Sequence, residues 1–210
     1  MKPIGRLFAA AGILIFFSGI ASGQQQAQQN AAAPPNPQDQ AMQALAEAAT
    51  PGPIHAELMK RAGDYTTTAT FYAPGAEPQQ SLGTAKFKSI LGGRFLEEEN
   101  SGDSFGAPYS GLRLFGYNNG SKQYEAIWIY NGSTAFLVLD GASDDNGKTV
   151  RYSGAFLGPG GARQTLRVTI TQQDDDHFVV KLLGEGPGDS TSTLETDYTR
   201  VKKVAVPAHH

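Results

Sequence analysis

From Tyr65 onward, apolar residues recur at every second position in short runs, and each run ends in residues that favour turns. The segment from Arg163 to Thr171 is the clearest: Leu166, Val168 and Ile170 fall on one face, Thr165, Arg167, Thr169 and Thr171 on the other. That alternation predicts a strand with one wet face. The same reading predicts strands over Tyr65–Tyr72, Gly83–Leu91, Arg94–Glu99, Gly111–Tyr117, Tyr124–Tyr130, Ala135–Asp140, Val150–Phe156, Phe178–Leu183 and Leu194–Val201. Between them lie hairpin signals such as Asn118-Asn119-Gly120, Asn131-Gly132, Asp145-Asn146-Gly147 and Gly186-Pro187-Gly188. About ten meandering strands leave two long edges in an open sheet, and closure removes them. The expected fold is therefore all-β: a single closed antiparallel up-and-down barrel, with a two-sheet sandwich as the alternative.

The pattern before Tyr65 differs. Ile54, Leu58, Met59 and Ala62 share helical spacing, Gly63 follows as a stop, and the short N-terminal helix they predict is placed to cover one end of the barrel. Gln24–Thr50 is rich in Gln, Ala, Asn and Pro and reads as a flexible linker, with at most a transient helix over Gln40–Ala49. At the start, Lys2 and Arg6 precede an apolar stretch from Leu7 to Ile20, and Ala21-Ser22-Gly23 offers small residues for cleavage. This is the layout of a signal peptide spanning residues 1–23. The apolar run is shorter than the roughly 20 residues a membrane helix needs, so no membrane span is expected after cleavage. The expected organisation is signal 1–23, linker 24–50, barrel 51–203 and tail 204–210, in a periplasmic or secreted protein.

Composition narrows the chemistry. The chain has 25 glycines, 12 prolines and a net charge of -3, with no Lys/Arg cluster of the kind that neutralises phosphates, so nucleic acid is not an expected partner. There is no cysteine, which excludes disulfides, thiolate nucleophiles and Cys-based metal sites. The four histidines are His55, His177, His209 and His210; none sits within a predicted strand facing a lumen, and no haem or other cofactor is expected. Asp144-Asp145-Asn146-Gly147 and Asp174-Asp175-Asp176 lack calcium-loop spacing and read as solvated hairpin tips.

Ile90-Leu91-Gly92-Gly93-Arg94-Phe95-Leu96, then Tyr109-Ser110-Gly111, Gly116-Tyr117-Asn118-Asn119, Tyr124 and Trp128, resemble the bacterial domain-of-unknown-function family 1579, which is placed with the calycin-like barrels. The resemblance runs from about Gly52 to Arg200, opening with Gly52-Pro53, His55 and Leu58 and closing with Tyr198-Thr199-Arg200. Gly63-Asp64-Tyr65 stands where the family has Gly-x-Trp. The resemblance implies a fold related to lipocalins, fatty-acid-binding proteins and nitrobindins, whose barrels enclose a small-molecule cavity, and it implies no activity. It also implies that Arg200 packs on Tyr65 to close the barrel.

Strand parity proposes the cavity residues. Glu97-Glu98-Glu99 alternates faces, so one or two of the three carboxylates point inward. Arg113, Phe115 and Tyr117 share a face, as do Tyr124, Ala126, Trp128 and Tyr130. A cation among aromatics suits a small amphipathic ligand. The expected lining is Arg94, Glu98, Arg113, Tyr117, Trp128 and Tyr198, in a protein that binds a small apolar or amphipathic molecule. Two other classes stay open: a filled barrel acting through its surface in the cell envelope, and an enzyme using carboxylates such as Glu98 or Glu185 with Tyr117. Strands such as Ala135–Leu139 and Tyr124–Tyr130 are apolar on both faces, so part of the outer wall is expected to be covered or to form a homo-oligomer contact.

Overall fold

The structure is a computed structural model that describes residues 36–104, 106–185 and 191–202. The expected signal segment, the first part of the expected linker and the expected tail fall outside the described residues. Two helices, α1 (Pro37–Ala49) and α2 (Pro53–Met59), precede ten strands: β1 (Gly63–Tyr72), β2 (Gln79–Ile90), β3 (Phe95–Ser104), β4 (Ala107–Asn118), β5 (Gln123–Tyr130), β6 (Leu137–Ala142), β7 (Thr149–Leu157), β8 (Arg163–Gln172), β9 (His177–Glu185) and β10 (Thr191–Arg200). Every strand pairs antiparallel with its sequence neighbours, and β1 pairs with β10, so the meander closes into a barrel. Closure rules out the sandwich.

Cross-strand pairs share a face, so the register settles which side chains point inward. Tyr65 pairs with Ala85 and Arg200, Phe87 with Glu98, Glu98 with Arg113, and Arg113 with Trp128. Tyr198 lies opposite Phe178, and Val168 opposite Leu182. The inward positions at one end are large. Tyr65 packs edge-on to Phe87 and Phe178, each at 5.3 Å between ring centres, and Phe178 stacks on Tyr198 at 4.3 Å. Across this end lies α2, which buries His55 and Leu58. Pro53 opens the helix, where its missing N–H costs nothing, and His55 Nδ1 accepts the Gly52 N–H at 3.0 Å.

The segment that follows α2 is held by polar bonds. Arg61 is buried, donates to Gln172 Oε1 and the Gly147 carbonyl, and lies over the Phe178 ring. Arg200 sits 4.8 Å from the Tyr65 ring and donates to the carbonyls of Ala62 and Lys60. The packing of Arg200 on Tyr65 thus matches the arrangement implied by the family resemblance.

The described residues from Ala41 onward form one compact body. Helix α1 buries no residue. Where the sequence predicts a spacer with at most a transient helix, the structure has a full helix, and its C-terminal carbonyls explain why. Asn119 Nδ2 donates to Glu47, Ala48 and Thr50, and Arg94 Nε donates to Ala49. Two turns of the barrel thus satisfy the orphan carbonyls that end a helix.

On the outside, β4–β6 present Leu112, Leu114, Ile127, Ile129 and Val138 to one another across the strands, with Ile127 and Val138 exposed. Charge appears elsewhere on the outer wall, as where Lys88 lies between Glu97 and Glu99. No described helix is long and apolar enough to cross a membrane.

Candidate functional site

Away from α2 the barrel interior opens into a cavity of about 530 Å³. Its volume follows from the small side chains that point into it. Along β1–β4 the inward positions beyond Tyr65 and Phe87 include Thr67, Ala69, Ser81, Gly83, Gly102 and Gly111, beside the larger Asn100 and Tyr109. At Gly83 and Gly102 the strands approach so closely that an added Cβ would lie 2.6 Å from the Ser101 and Leu82 carbonyl oxygens. The opposite wall is apolar: Leu137, Phe156, Leu166, Leu182 and Leu194. Asp103, Ser104, Ala107 and Pro108 from the β3–β4 hairpin, with Asn131 and Gly132 from the β5–β6 turn, form part of the mouth. Toward the plugged end the interior closes down to a void of only about 20 Å³.

The floor of the cavity is polar. Glu98 is 1% exposed and Arg113 11%, and Arg113 Nη1 donates to both carboxylate oxygens at 3.0 and 3.1 Å. Arg113 Nη1 also donates to Tyr198 Oη at 2.9 Å. Tyr198 Oη and Asn100 Nδ2 in turn donate to Glu98 Oε1, each at 2.9 Å. The guanidinium lies 3.7 Å above the Trp128 ring, within cation–π range. Removing either partner of such a buried pair typically costs about 3–5 kcal/mol, because it strands the other charge.

Burial opposes the charge on Arg113, yet Glu98, with Tyr198 and Tyr109, holds its pKa above the ordinary arginine value. Burial, aided by the Glu98 charge, pushes the Tyr198 phenol up, against the pull of Arg113. Both groups thus keep their usual charge states at any physiological pH. Three buried polar atoms of cavity-lining residues have no hydrogen-bond partner: Asn100 Oδ1, Arg113 Nε and Trp128 Nε1. Buried polar atoms are rarely left unpaired, so each calls for an explanation.

Of the six residues expected to line a ligand site, Arg113, Trp128 and Tyr198 border the cavity, and Glu98 lies beneath them, bonded to Arg113 and Tyr198. The remaining two are at the other end. Arg94 is exposed in the β2–β3 turn and caps α1; Tyr117 meets His55 and Tyr124 edge-on. Tyr117 shares the inward face with Arg113, but four residues along a strand is about 13 Å, far enough to leave the cavity for the plug. The sequence reading did not single out Asn100. Its signal was present, since it follows Glu98 by two residues and so must share its face.

Among the described residues no cluster of His, Asp and Glu could hold a metal ion. The described lining carries one acidic side chain, Asp103 at the mouth, while the Glu98 carboxylate below is engaged by three donors.

The profile of a family described as "Protein of unknown function (DUF1579)" matches residues 50–200. No curated protein matches the chain. Among solved structures, the fold is similar to that of Rv2717c from M. tuberculosis, at 16% identity and a TM-score of 0.56, covering 73% of this chain and 100% of that one. It is also similar to the S-type phycobiliprotein lyase CPES from Guillardia theta, at 8% identity and a TM-score of 0.55, covering 76% of this chain and 98% of that one. At these identities the likeness is one of fold.

Proposed function

The chain belongs to the DUF1579 family, whose description assigns no function, and on that premise we propose that it is an exported protein that binds a small amphipathic molecule inside its barrel. The observation that carries this reading is the cavity of about 530 Å³, within the range of small-molecule sites, with apolar walls above a polar floor. Arg113, Trp128 and Tyr198 contact the polar end of the ligand, and Leu137, Phe156, Leu166, Leu182 and Leu194 hold its apolar part. Glu98 acts through Arg113 and Tyr198 by fixing both. Arg94 and Tyr117 have no part in the cavity and serve the opposite end of the barrel.

Export rests on the sequence alone: Lys2 and Arg6, the apolar stretch and the small residues before Gln24. That a fold neighbour is named a lyase is compatible with a barrel interior that meets a small molecule. Acid–base catalysis has less support, because it needs a carboxylate free to exchange a proton, and Glu98 is engaged by Arg113, Tyr198 and Asn100.

Native mass spectrometry of the protein purified from its own host without detergent tests the binding reading. The expected result is a stoichiometric adduct that is released on unfolding. A bare mass from folded protein, unchanged by added amphiphiles, would overturn it in favour of a barrel acting through its surface.

A further inference from the structure

An arginine at the bottom of an apolar barrel suggests a carboxylate ligand at first sight. The geometry here argues otherwise. Arg113 is already neutralised by Glu98, which is buried with it, and all its hydrogen bonds to Glu98 and Tyr198 leave through Nη1. The floor therefore carries no net charge. The other ionised side chain in the described lining is Asp103 at the mouth, which is negative. An ionised fatty acid would bring an uncompensated charge into this interior, and burying an unpaired charge is costly.

What the floor does offer is a set of unpaired hydrogen-bonding atoms. Two donors, Arg113 Nε–H and Trp128 Nε1–H, and one acceptor, Asn100 Oδ1, are buried and unpartnered on residues that border the cavity. A cation could not accept from the two donors, and a carboxylate could not donate to Asn100. A group with both an acceptor oxygen and an N–H or O–H donor, such as an amide, a lactam or an alcohol, could meet all three after small side-chain shifts. Resting on the binding reading above, we infer that the cavity selects amphiphiles with an uncharged, hydrogen-bonding head group, and that Glu98 is the residue that imposes this selection by neutralising Arg113.

The test uses three ligands with the same tail: octanamide, octanoate and octylammonium. Trp128 is the single tryptophan of the chain and stacks on Arg113, so its fluorescence reports what reaches the floor. Titrated near neutral pH into the purified chain freed of bound lipid, octanamide is expected to bind at least roughly tenfold more tightly than either ion. In E98Q, which unmasks Arg113, the preference for octanamide over octanoate is expected to fall by about tenfold or more. A general loosening of the barrel would weaken both ligands together. Should E98Q fail to fold, the ranking of the three ligands on the unaltered chain decides the matter. Octanoate binding as tightly as octanamide would overturn the head-group assignment and leave the binding reading standing. Binding of none of the three would overturn both.

Discussion

The two ends of the barrel are built from the same ten strands and differ in what those strands point inward. At the plugged end β1, β2, β9 and β10 contribute Tyr65, Phe87, Phe178 and Tyr198, packed ring on ring. Toward the mouth, β1–β3 contribute Thr67, Ala69, Ser81, Gly83 and Gly102. The cavity exists because these small residues leave the lumen unfilled. The packed aromatic side chains are thereby concentrated in one half, and the other half is left open. The buried Glu98–Arg113 pair marks the boundary, polar on a floor whose lower side is aromatic.

The sharpest way to break this division is to make matched truncations on β9. Phe178→Ala removes a ring from the packed end, where its side chain is 2% exposed, and should cost about 3–5 kcal/mol of unfolding free energy. Leu182→Ala, four residues along on the half-buried cavity wall, should cost no more than about 1 kcal/mol, since part of its surface already faces open space. Denaturant titration of both variants checks the contrast. Equal losses would mean that the mouth is as much a part of the core as the plug.

Alkaline pH separates the same regions by charge. Burial, as the first cause, raises the pKa of Tyr65, Tyr124, Tyr152 and Tyr198 above the ordinary 10.0. A phenol whose folded pKa lies above its unfolded value supports the fold fully below pH 10, and that support fades as pH rises beyond it, because the unfolded chain loses the proton first. For a fully buried tyrosine such as Tyr152 the loss is about 1.4 kcal/mol per pH unit above 10. The tyrosinate absorbance contributed by these four should therefore rise together with loss of near-ultraviolet circular dichroism in one step. Ionisation of these four in a still folded barrel would show that the plugged end admits water.

The smallest expected effect concerns how α1 is attached to the plugged end. Asn119→Ala removes a donor shared by three carbonyls of the α1 terminus. Exposed hydrogen bonds of this kind are worth about 0.5–1.5 kcal/mol. Global stability should stay almost unchanged, while amide exchange over residues 41–49 should accelerate severalfold by mass spectrometry. No change there would mean that Arg94 alone holds the helix.

The halves also differ in how well the sequence foretells them. Alternation of apolar residues is strong where the interior is packed, so the strand over Tyr124–Tyr130 is found within a residue of its observed bounds. Near the mouth β2 begins at Gln79 and β3 runs on to Ser104, where the sequence places strands over Gly83–Leu91 and Arg94–Glu99. These extensions carry glycine, serine and asparagine, which give no hydrophobic period, and they are held by backbone pairing that leaves no mark on composition. For the same reason the cavity could be expected but not located. Glu98 illustrates the remaining ambiguity. Its triplet offers two registers, and only the pairing of Glu98 with Phe87 and Arg113 sets Glu97 and Glu99 outward against Lys88.

Strand β1 enters from α2, and β10 ends at Arg200, opposite Tyr65, with Val201 still bonded to the Asp64 carbonyl. Both ends of the barrel-forming chain therefore leave on the side away from the mouth. A partner that met the barrel where β1 enters or β10 leaves would sit at its base and keep the opening clear.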